Sequence, residues 1–180
     1  MKKLGRQRIF WQALALTVSL FLVAGWVCAA NVDRSLYRSA RKEYDLLEKT
    51  KVTGENRQRW ESLAARFQKI SREMPRSPYA ADSLFYSARI HYELYDFDKK
   101  ESSLDLAIKN WRALLLNYPK SPWAQESRLR LAMSYEEGKR DFEEAKKQYE
   151  ALIERAPKGG FALIARRRLD GLEKAEQTKK

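Results

Sequence analysis

Hydrophobic residues recur at helical spacing along most of the chain, and three prolines divide this pattern into similar segments. When the segments are aligned on Pro75, Pro119 and Pro157, an aromatic residue lies eight positions before each proline and Ile or Leu lies five positions before it. Residues at these separations share one face of an α-helix, and helices tend to end before a proline. The pattern therefore predicts three amphipathic helices with equivalent buried faces. Their aromatic column is Phe67, Trp111 and Tyr149, and their aliphatic column is Ile70, Leu114 and Leu152.

A Ser-Pro pair follows the first two of these prolines, in "PRSPYAADS" and "PKSPWAQES". Ser77 and Ser121 can accept hydrogen bonds from free backbone N–H groups, and the next proline suits a first helical position, where no N–H is needed. Asp82 and Glu126 would then lie near the positive end of the new helix dipole. Each stretch is interpreted as a joint between two helices.

The pattern predicts helices in pairs. Ser102 with Asp105, and Asp141 with Glu144, have capping-box spacing and predict where the second helices of pairs two and three begin. The predicted helices cover residues 33–50, 57–73, 78–95, 102–118, 122–137 and 141–155. They form repeats of about 33–75, 78–119 and 122–157, and a capping helix over 159–177 follows, with Gly159 and Gly160 in place of Ser-Pro.

Pair two contains an insertion. The separation of its two small residues, Ala88 and Ala107, is 19 positions, against 13 for Ala132 and Ala145 in pair three. The extra residues lengthen either the first helix of pair two or the loop that follows it.

These columns resemble the tetratricopeptide repeat, a helix-turn-helix unit with the signature W-x2-L-G-x2-Y, then A-x3-F, then P. The matching positions are Ala107, Trp111 and Pro119 in repeat two, and Leu131, Ala132, Tyr135, Ala145, Tyr149 and Pro157 in repeat three. The resemblance covers roughly residues 33–157. It implies an all-α, tetratricopeptide-like α-solenoid of about three repeats plus a C-terminal capping helix, in a domain spanning residues 31–177.

In such arrays the first helices of the repeats line a concave groove that receives a protein or peptide partner. The resemblance implies that the groove residues here are Asp82, Phe85, Tyr86, Arg89, Tyr92, Glu126, Leu129, Arg130 and Met133. An alternative remains open, in which Phe85, Leu129 and Met133 are core residues between repeats.

Residues 1–30 differ from the rest of the chain. Four basic residues precede an uncharged run over residues 9–30, and this order is typical of a secretory signal peptide. The run is also long enough to anchor the protein in the inner membrane, facing the periplasm. A third alternative is a lipoprotein signal with Cys28 as the acylated residue. All three predict export, and the first predicts a periplasmic protein.

The order of the segments carries a narrower resemblance. A signal segment, "SLYRSARKEYDLL", "PRSPYAADSLFYSARIHYELY", the insertion and "YPKSPWAQESRLRLA" look like the N-terminal region of exported bacterial N-acetylmuramoyl-L-alanine amidases. Periplasmic tetratricopeptide proteins of the Tol-Pal and outer-membrane assembly systems are similar more loosely. The resemblance implies a non-catalytic scaffold in cell-envelope or cell-wall maintenance, or else the targeting domain of a cell-wall amidase whose catalytic domain is absent from this chain.

Removal of residues 1–30 lowers the formal net charge from +12 to +8, because it takes away four cations and no acidic residue. This excess suits an anionic partner, such as peptidoglycan, an anionic membrane surface or an acidic protein. The alternative is a solvated basic surface without a partner. Arg166, Arg167 and Arg168 form the densest basic cluster and are a candidate basic patch. Basic residues alternate with acidic ones along most helices, and a signal segment removes the chain from nucleic acid, so no nucleic-acid partner is expected.

The sequence also argues against an enzyme. It contains one His and one Cys, too few for the ligand set of a zinc hydrolase, and it lacks phosphate-binding and G-x-S-x-G motifs. We predict no catalytic residues, metal or cofactor. His91 lies on an apolar helix face and is expected to be a packed histidine between helices.

Overall fold

The computed structural model describes residues 32–177, and each regular element in that range is helical. The prediction of an all-α solenoid fold is confirmed. The helices are α1 (residues 32–50), α2 (Arg57–Glu73), α3 (Ala80–Asp98), α4 (Glu101–Asn117), α5 (Ala124–Met133), α6 (Phe142–Arg155) and α7 (Gly160–Gln177), with a π-helical segment, Ser134–Lys139, directly after α5.

Consecutive helices pack against each other, and α3 lies between α2 and α4. The predicted aromatic column supplies the largest buried side chains, because Phe67, Trp111 and Tyr149 are all 0% exposed. The second helices of the pairs therefore use the faces that the proline alignment predicted. Burial of three such rings contributes several kcal/mol of hydrophobic stabilisation, about 1.5–3 kcal/mol for each large side chain.

The Ser-Pro joints are tight turns, and α3 and α5 begin two residues later than predicted. Ser77 Oγ accepts a hydrogen bond from the Tyr79 N–H at 3.2 Å, and Ser121 Oγ accepts one from the Trp123 N–H at the same distance. Each serine carbonyl also accepts from the N–H three residues later, at 3.1 and 3.0 Å. The serines cap as expected, but a turn separates them from the helix proper.

The aromatic residue of each joint connects neighbouring repeats. Tyr79 stacks on Tyr37 of α1 with ring centroids 4.6 Å apart, and Trp123 stacks on Phe85 of α3 at 4.1 Å. Offset stacking adds about 0.5–1.5 kcal/mol to the area term. Each joint therefore holds a new repeat against the previous one.

Only one of the two predicted capping boxes has a side-chain cap. Asp141 Oδ1 accepts a hydrogen bond from the Glu144 N–H at 3.0 Å at the start of α6. In α4 the N-cap residue is Lys100, which has no side-chain cap, and Ser102 lies within the helix. The prediction for Ser102 was wrong because α4 begins at Glu101. Ser102 is therefore the second residue of the helix and cannot be its N-cap.

The insertion in pair two lengthens the first helix and not the loop. Helix α3 continues to Asp98, and only Lys99 and Lys100 separate it from α4. Lys99 ends the helix in the left-handed conformation, with φ 55°. In pair three the corresponding helix instead changes to π-helical geometry after Met133.

Helix α7 has polar residues where earlier repeats have buried ones. Leu129 and Ala132 of α5 are 5% and 0% exposed, whereas Arg167 and Asp170, 38 positions later, are an exposed cation and an exposed carboxylate. This face of α7 is therefore exposed to solvent, as expected for a terminal helix that no further repeat covers.

No helix within residues 32–177 is long and apolar enough to cross a membrane. The predicted signal segment, residues 1–30, lies outside the described residues.

Candidate binding face

Helices α1, α3 and α5 are the first helices of the three pairs, and Asp82 joins them. Its Oδ2 accepts a hydrogen bond from the Tyr37 hydroxyl of α1 at 3.0 Å, and its Oδ1 accepts one from Trp123 Nε1 at 2.8 Å. Both carboxylate oxygens are therefore engaged within the fold. Asp82 shapes the predicted groove instead of presenting a free acceptor.

Three predicted groove residues, Phe85, Tyr86 and Leu129, belong to the core. Phe85 is 1% exposed beneath Trp123, and Leu129 is 5% exposed. The alternative interpretation left open by the sequence therefore describes Phe85 and Leu129. Met133 is intermediate, because it is half-buried and packs against the core cluster.

Tyr86 is covered by a cation. Its ring is 6% exposed, and the Arg41 guanidinium of α1 lies 4.4 Å from the ring centroid. Burial is the largest cause that raises the pKa of Tyr86, so its hydroxyl stays protonated at neutral pH. A partner on this face would meet Arg41 before it met Tyr86.

Three arginines, Arg41, Arg89 and Arg130, are presented by successive first helices. Their side chains are 33%, 29% and 34% exposed, respectively. Each is paired with a carboxylate of the same face: Asp45, Glu48 at 2.6 Å and Glu126 at 3.1 Å. Half-exposed ion pairs of this kind contribute about 0–1 kcal/mol, so an incoming carboxylate can replace the internal one at little cost.

Tyr92 lies between the arginines of α3 and α5. It is half-buried, and its hydroxyl donates to Glu137 Oε2 at 3.2 Å. Burial and the neighbouring Glu137 carboxylate raise the pKa of Tyr92, which keeps the hydroxyl available as a donor. With the half-buried Met133, Tyr92 gives the face an apolar component beside the charges.

Arg41 was missed by the sequence analysis. Repeat one has no small residue before Phe67 and lacks most of the tetratricopeptide signature, so its first helix could not be placed in register. Stacking of Tyr37 on Tyr79 and of Arg41 on Tyr86 sets that register in the structure. The sequence did contain one signal for Arg41. Arg34, Arg38 and Arg41 are four and three positions apart, which places them on one face of a helix.

The predicted basic patch is divided by the structure. Arg168 forms ion pairs with Glu137 at 2.7 Å and Glu136 at 3.3 Å, and Arg166 donates to the carbonyl of Pro157 at 2.8 Å. Arg167 is exposed. Successive residues on a helix point about 100° apart, so three consecutive arginines do not converge.

His91 is a buried side chain, 9% exposed, as the sequence predicted. Burial lowers its pKa to about 4, and the Glu61 carboxylate opposes this shift to a smaller extent. The imidazole is therefore neutral at physiological pH. In the part of the chain that the structure describes, no group of three or more His, Cys, Asp or Glu residues could hold a metal ion.

Comparison with known proteins identifies one repeat. Residues 126–159 match the family "Tetratricopeptide repeat". The matched segment contains four of the predicted groove residues, Glu126, Leu129, Arg130 and Met133. No curated protein matches the chain. The third helix pair is therefore a tetratricopeptide repeat within an all-α solenoid, and repeats of this kind generally bind protein partners.

Proposed function

We propose that this chain is a non-catalytic interaction module that binds a peptide segment or helix of a partner protein on the face formed by α1, α3 and α5. The observation that carries the proposal is the row of half-exposed arginines, one from each successive first helix. Arginine is among the residues that most often dominate binding energy at interfaces. We name the row Arg41, Arg89 and Arg130 the arginine row.

The partner segment that fits this face carries carboxylates and at least one apolar side chain. Its carboxylates would replace Asp45, Glu48 and Glu126 on the arginine row, and bidentate pairing would fix their orientation. The apolar side chain would lie against Tyr92 and Met133.

The cellular setting in this proposal is the bacterial periplasm, in cell-envelope or cell-wall maintenance. Its support is the order of charges and apolar residues over residues 1–30 and the resemblance to exported amidase regions and to envelope tetratricopeptide proteins. Alkaline phosphatase fused after Lys180 tests it, because the reporter is active only after export. An inactive reporter with intact fusion protein would refute the periplasmic setting.

Site-specific photo-crosslinking tests the binding face. A benzophenone amino acid in place of Tyr92 is expected to crosslink to a discrete partner in living cells. The same probe in place of Leu106, which is 36% exposed on α4, is not expected to do so. Arg130→Glu should lower the yield at Tyr92 about ten-fold or more, because it replaces a favourable charge contact by a repulsive one.

Lys109→Glu is the matched control, since Lys109 is exposed on α4, away from the arginine row. Circular dichroism would establish that both variants fold. Capture from Leu106 as efficient as from Tyr92, or an unchanged yield with Arg130→Glu, would contradict the proposed face.

A further inference from the structure

The turns that carry the three prolines lie side by side along one edge of the array. We name this the joint edge; it comprises residues 74–79, 118–123 and 156–159. The Tyr118 hydroxyl donates to the carbonyl of Pro75 at 2.8 Å, which links the first two turns. Pro119 and Ala156 line one cavity of about 320 Å³, which links the second turn to the third.

The chain enters α1 at the same edge. Tyr37, near the start of α1, stacks on Tyr79 of the first turn with ring centroids 4.6 Å apart. The first described residues, from Val32, therefore lie at the joint edge and not at the opposite one.

A row of cations without acidic partners runs along the joint edge. Arg76, Lys120 and Lys158 each follow a repeat proline directly, and all three are exposed. Within residues 32–177 none of them has an ion pair. The repeat itself therefore spaces single positive charges along this edge.

Glu73 and Glu154, the acidic residues at the ends of α2 and α6, do not cancel this charge. Glu73 is shared by Lys69 at 3.9 Å and Arg72 at 3.3 Å. Glu154 is exposed at the end of α6, directly beside the exposed Arg155.

A cavity on this edge brings two cations together. Arg128 and Arg155 line the space of about 320 Å³ between α4, α5 and α6, and no carboxylate lines it. Burial is the main cause that lowers the pKa of Arg128, and the positive charge of Arg155 lowers it further. An anion such as a phosphate in this cavity would relieve the repulsion between the two guanidinium groups.

Exposed apolar side chains lie among these cations. Leu116, in the last turn of α4, is 80% exposed, and Leu163, in the first turn of α7, is 52% exposed. Val32 and Leu36, in the first turns of α1, are 53% and 43% exposed. Unpaired basic residues interspersed with exposed apolar ones are typical of surfaces that bind the interface of anionic membranes.

We propose that the joint edge docks on an anionic phospholipid surface. Arg76, Lys120 and Lys158 contact the headgroup phosphates, and Leu116 and Leu163 enter the boundary between headgroups and acyl chains. The cavity between Arg128 and Arg155 receives one headgroup phosphate. The opposite edge, where α3 ends at Asp98, then points away from the membrane.

Quenching by lipid-borne spin labels tests this orientation in the full chain. The native thiol is removed by Cys28→Ser, and one fluorophore is attached through Leu116→Cys at the joint edge or Phe97→Cys at the opposite edge. Both parent side chains are largely exposed, at 80% and 48%. In vesicles containing phosphatidylglycerol, we expect strong quenching at position 116 and little at position 97.

The charge dependence is tested by Arg76→Gln with Lys120→Gln and Lys158→Gln, combined in one variant. Each cation near an anionic surface is worth about five-fold in affinity, so the triple variant should lower the docking constant about 100-fold. The matched control changes Lys42, Lys49 and Lys109 to Gln, which removes the same charge from exposed residues elsewhere. Thermal melting is expected to be unchanged in both.

Three outcomes of the vesicle comparisons would overturn the proposal. They are equal quenching at positions 116 and 97, equal quenching at position 116 in phosphatidylcholine and phosphatidylglycerol vesicles, and an equal loss in the control triple. If the Arg76, Lys120 and Lys158 variant keeps its quenching but no longer binds soluble polyphosphate, the row serves an anionic polymer and the lipid assignment is wrong.

Discussion

Both edges of the helix array carry basic residues but use them differently. At the opposite edge, Lys139 is held by Glu101 at 2.6 Å and by Asp105 at 2.7 Å, and Arg57 pairs with Asp98 across α2 and α3. At the joint edge, the cation of each proline turn has no such partner among residues 32–177. The cations of the opposite edge are therefore compensated within the fold, whereas those of the joint edge can contact an extended anionic surface without breaking an internal pair.

The two edges also differ in the backbone conformation of their basic residues. The first helix of every pair ends at the opposite edge with a basic residue whose backbone has the left-handed conformation. These residues are Lys51 with φ 57°, Lys99 with φ 55° and Arg140 with φ 54°. A cation there interacts favourably with the negative end of the helix dipole. Basic residues at the opposite edge thus terminate helices, while those at the joint edge follow prolines in open turns.

The largest expected effect is a loss of stability at low pH. It comes from His91, a buried residue of α3, and α3 connects the two edges. The pKa of His91 is lowered from 6.5 to about 4, so the unfolded chain binds the proton more readily than the folded one. Stability is fully present above pH 6.5 and is lost as the pH falls toward 4, by about 3 kcal/mol. Urea unfolding of the wild type and of His91→Phe from pH 7 to pH 4 measures it.

The variant should retain a smaller pH dependence, which comes from carboxylates. Equal slopes in the two proteins would show that His91 is not the group responsible.

Asp82→Ala should weaken the joint edge specifically. It removes the acceptor shared by Tyr37 and Trp123 and should lower the free energy of unfolding by about 2 kcal/mol. Glu126→Ala is the matched control, because Glu126 occupies the same repeat position but, in the described part of the chain, bonds only Arg130 of its own helix. Its cost should stay below about 0.5 kcal/mol in the same urea titration. Similar losses in the two variants would contradict the bridging role of Asp82.

At the opposite edge, Asp98→Ala should cost about 1–2 kcal/mol, since it leaves the partly buried Arg57 with Glu61 alone. Asp96→Ala removes an exposed pair with Lys99, in which both side chains are more than 60% exposed, and should cost about 0–0.5 kcal/mol. Thermal denaturation of both variants gives the difference. The reverse order would mean that burial does not set the value of these pairs.

The smallest expected effect is a gain in stability at the opposite edge. Lys99→Gly should raise the free energy of unfolding by about 0.5–1 kcal/mol, because glycine adopts the left-handed conformation without strain. Lys100→Gly, one residue later at φ −70°, should lower it by a similar amount. A loss of stability in Lys99→Gly, measured by urea unfolding, would show that the lysine charge outweighs the strain.

The second helices could be predicted closely from sequence, and the first helices less so. The Phe67, Trp111 and Tyr149 column is fixed by burial within one helix pair, and periodicity alone reveals it. Contacts between repeats leave weaker signals. The π-helical segment brings Gly138 against Leu104, where an added Cβ would lie 2.5 Å from Leu104 Cδ2, and no local pattern indicates this approach.

The candidate face shows the same limit. Phe85 and Tyr92 are both aromatic residues of α3, yet one is in the core and the other is half-exposed. Their difference depends on Trp123, which lies in the next repeat and covers Phe85. Sequence spacing placed both on the correct helix but could not decide which side the neighbouring joint would cover.

The glycine joint before α7 has a consequence for how the array opens. In the first two joints Tyr79 and Trp123 stack on a ring of the preceding repeat, whereas the equivalent Phe161 packs against the core without a stacked ring among the described residues. The fully buried residues of α7 are Ala162 and Ala165. In a linear array each unit is stabilised by its own contacts and by its nearest neighbour. Amide hydrogens of α7 should therefore exchange with solvent through local detachment, while those of α3 exchange only when the whole array unfolds.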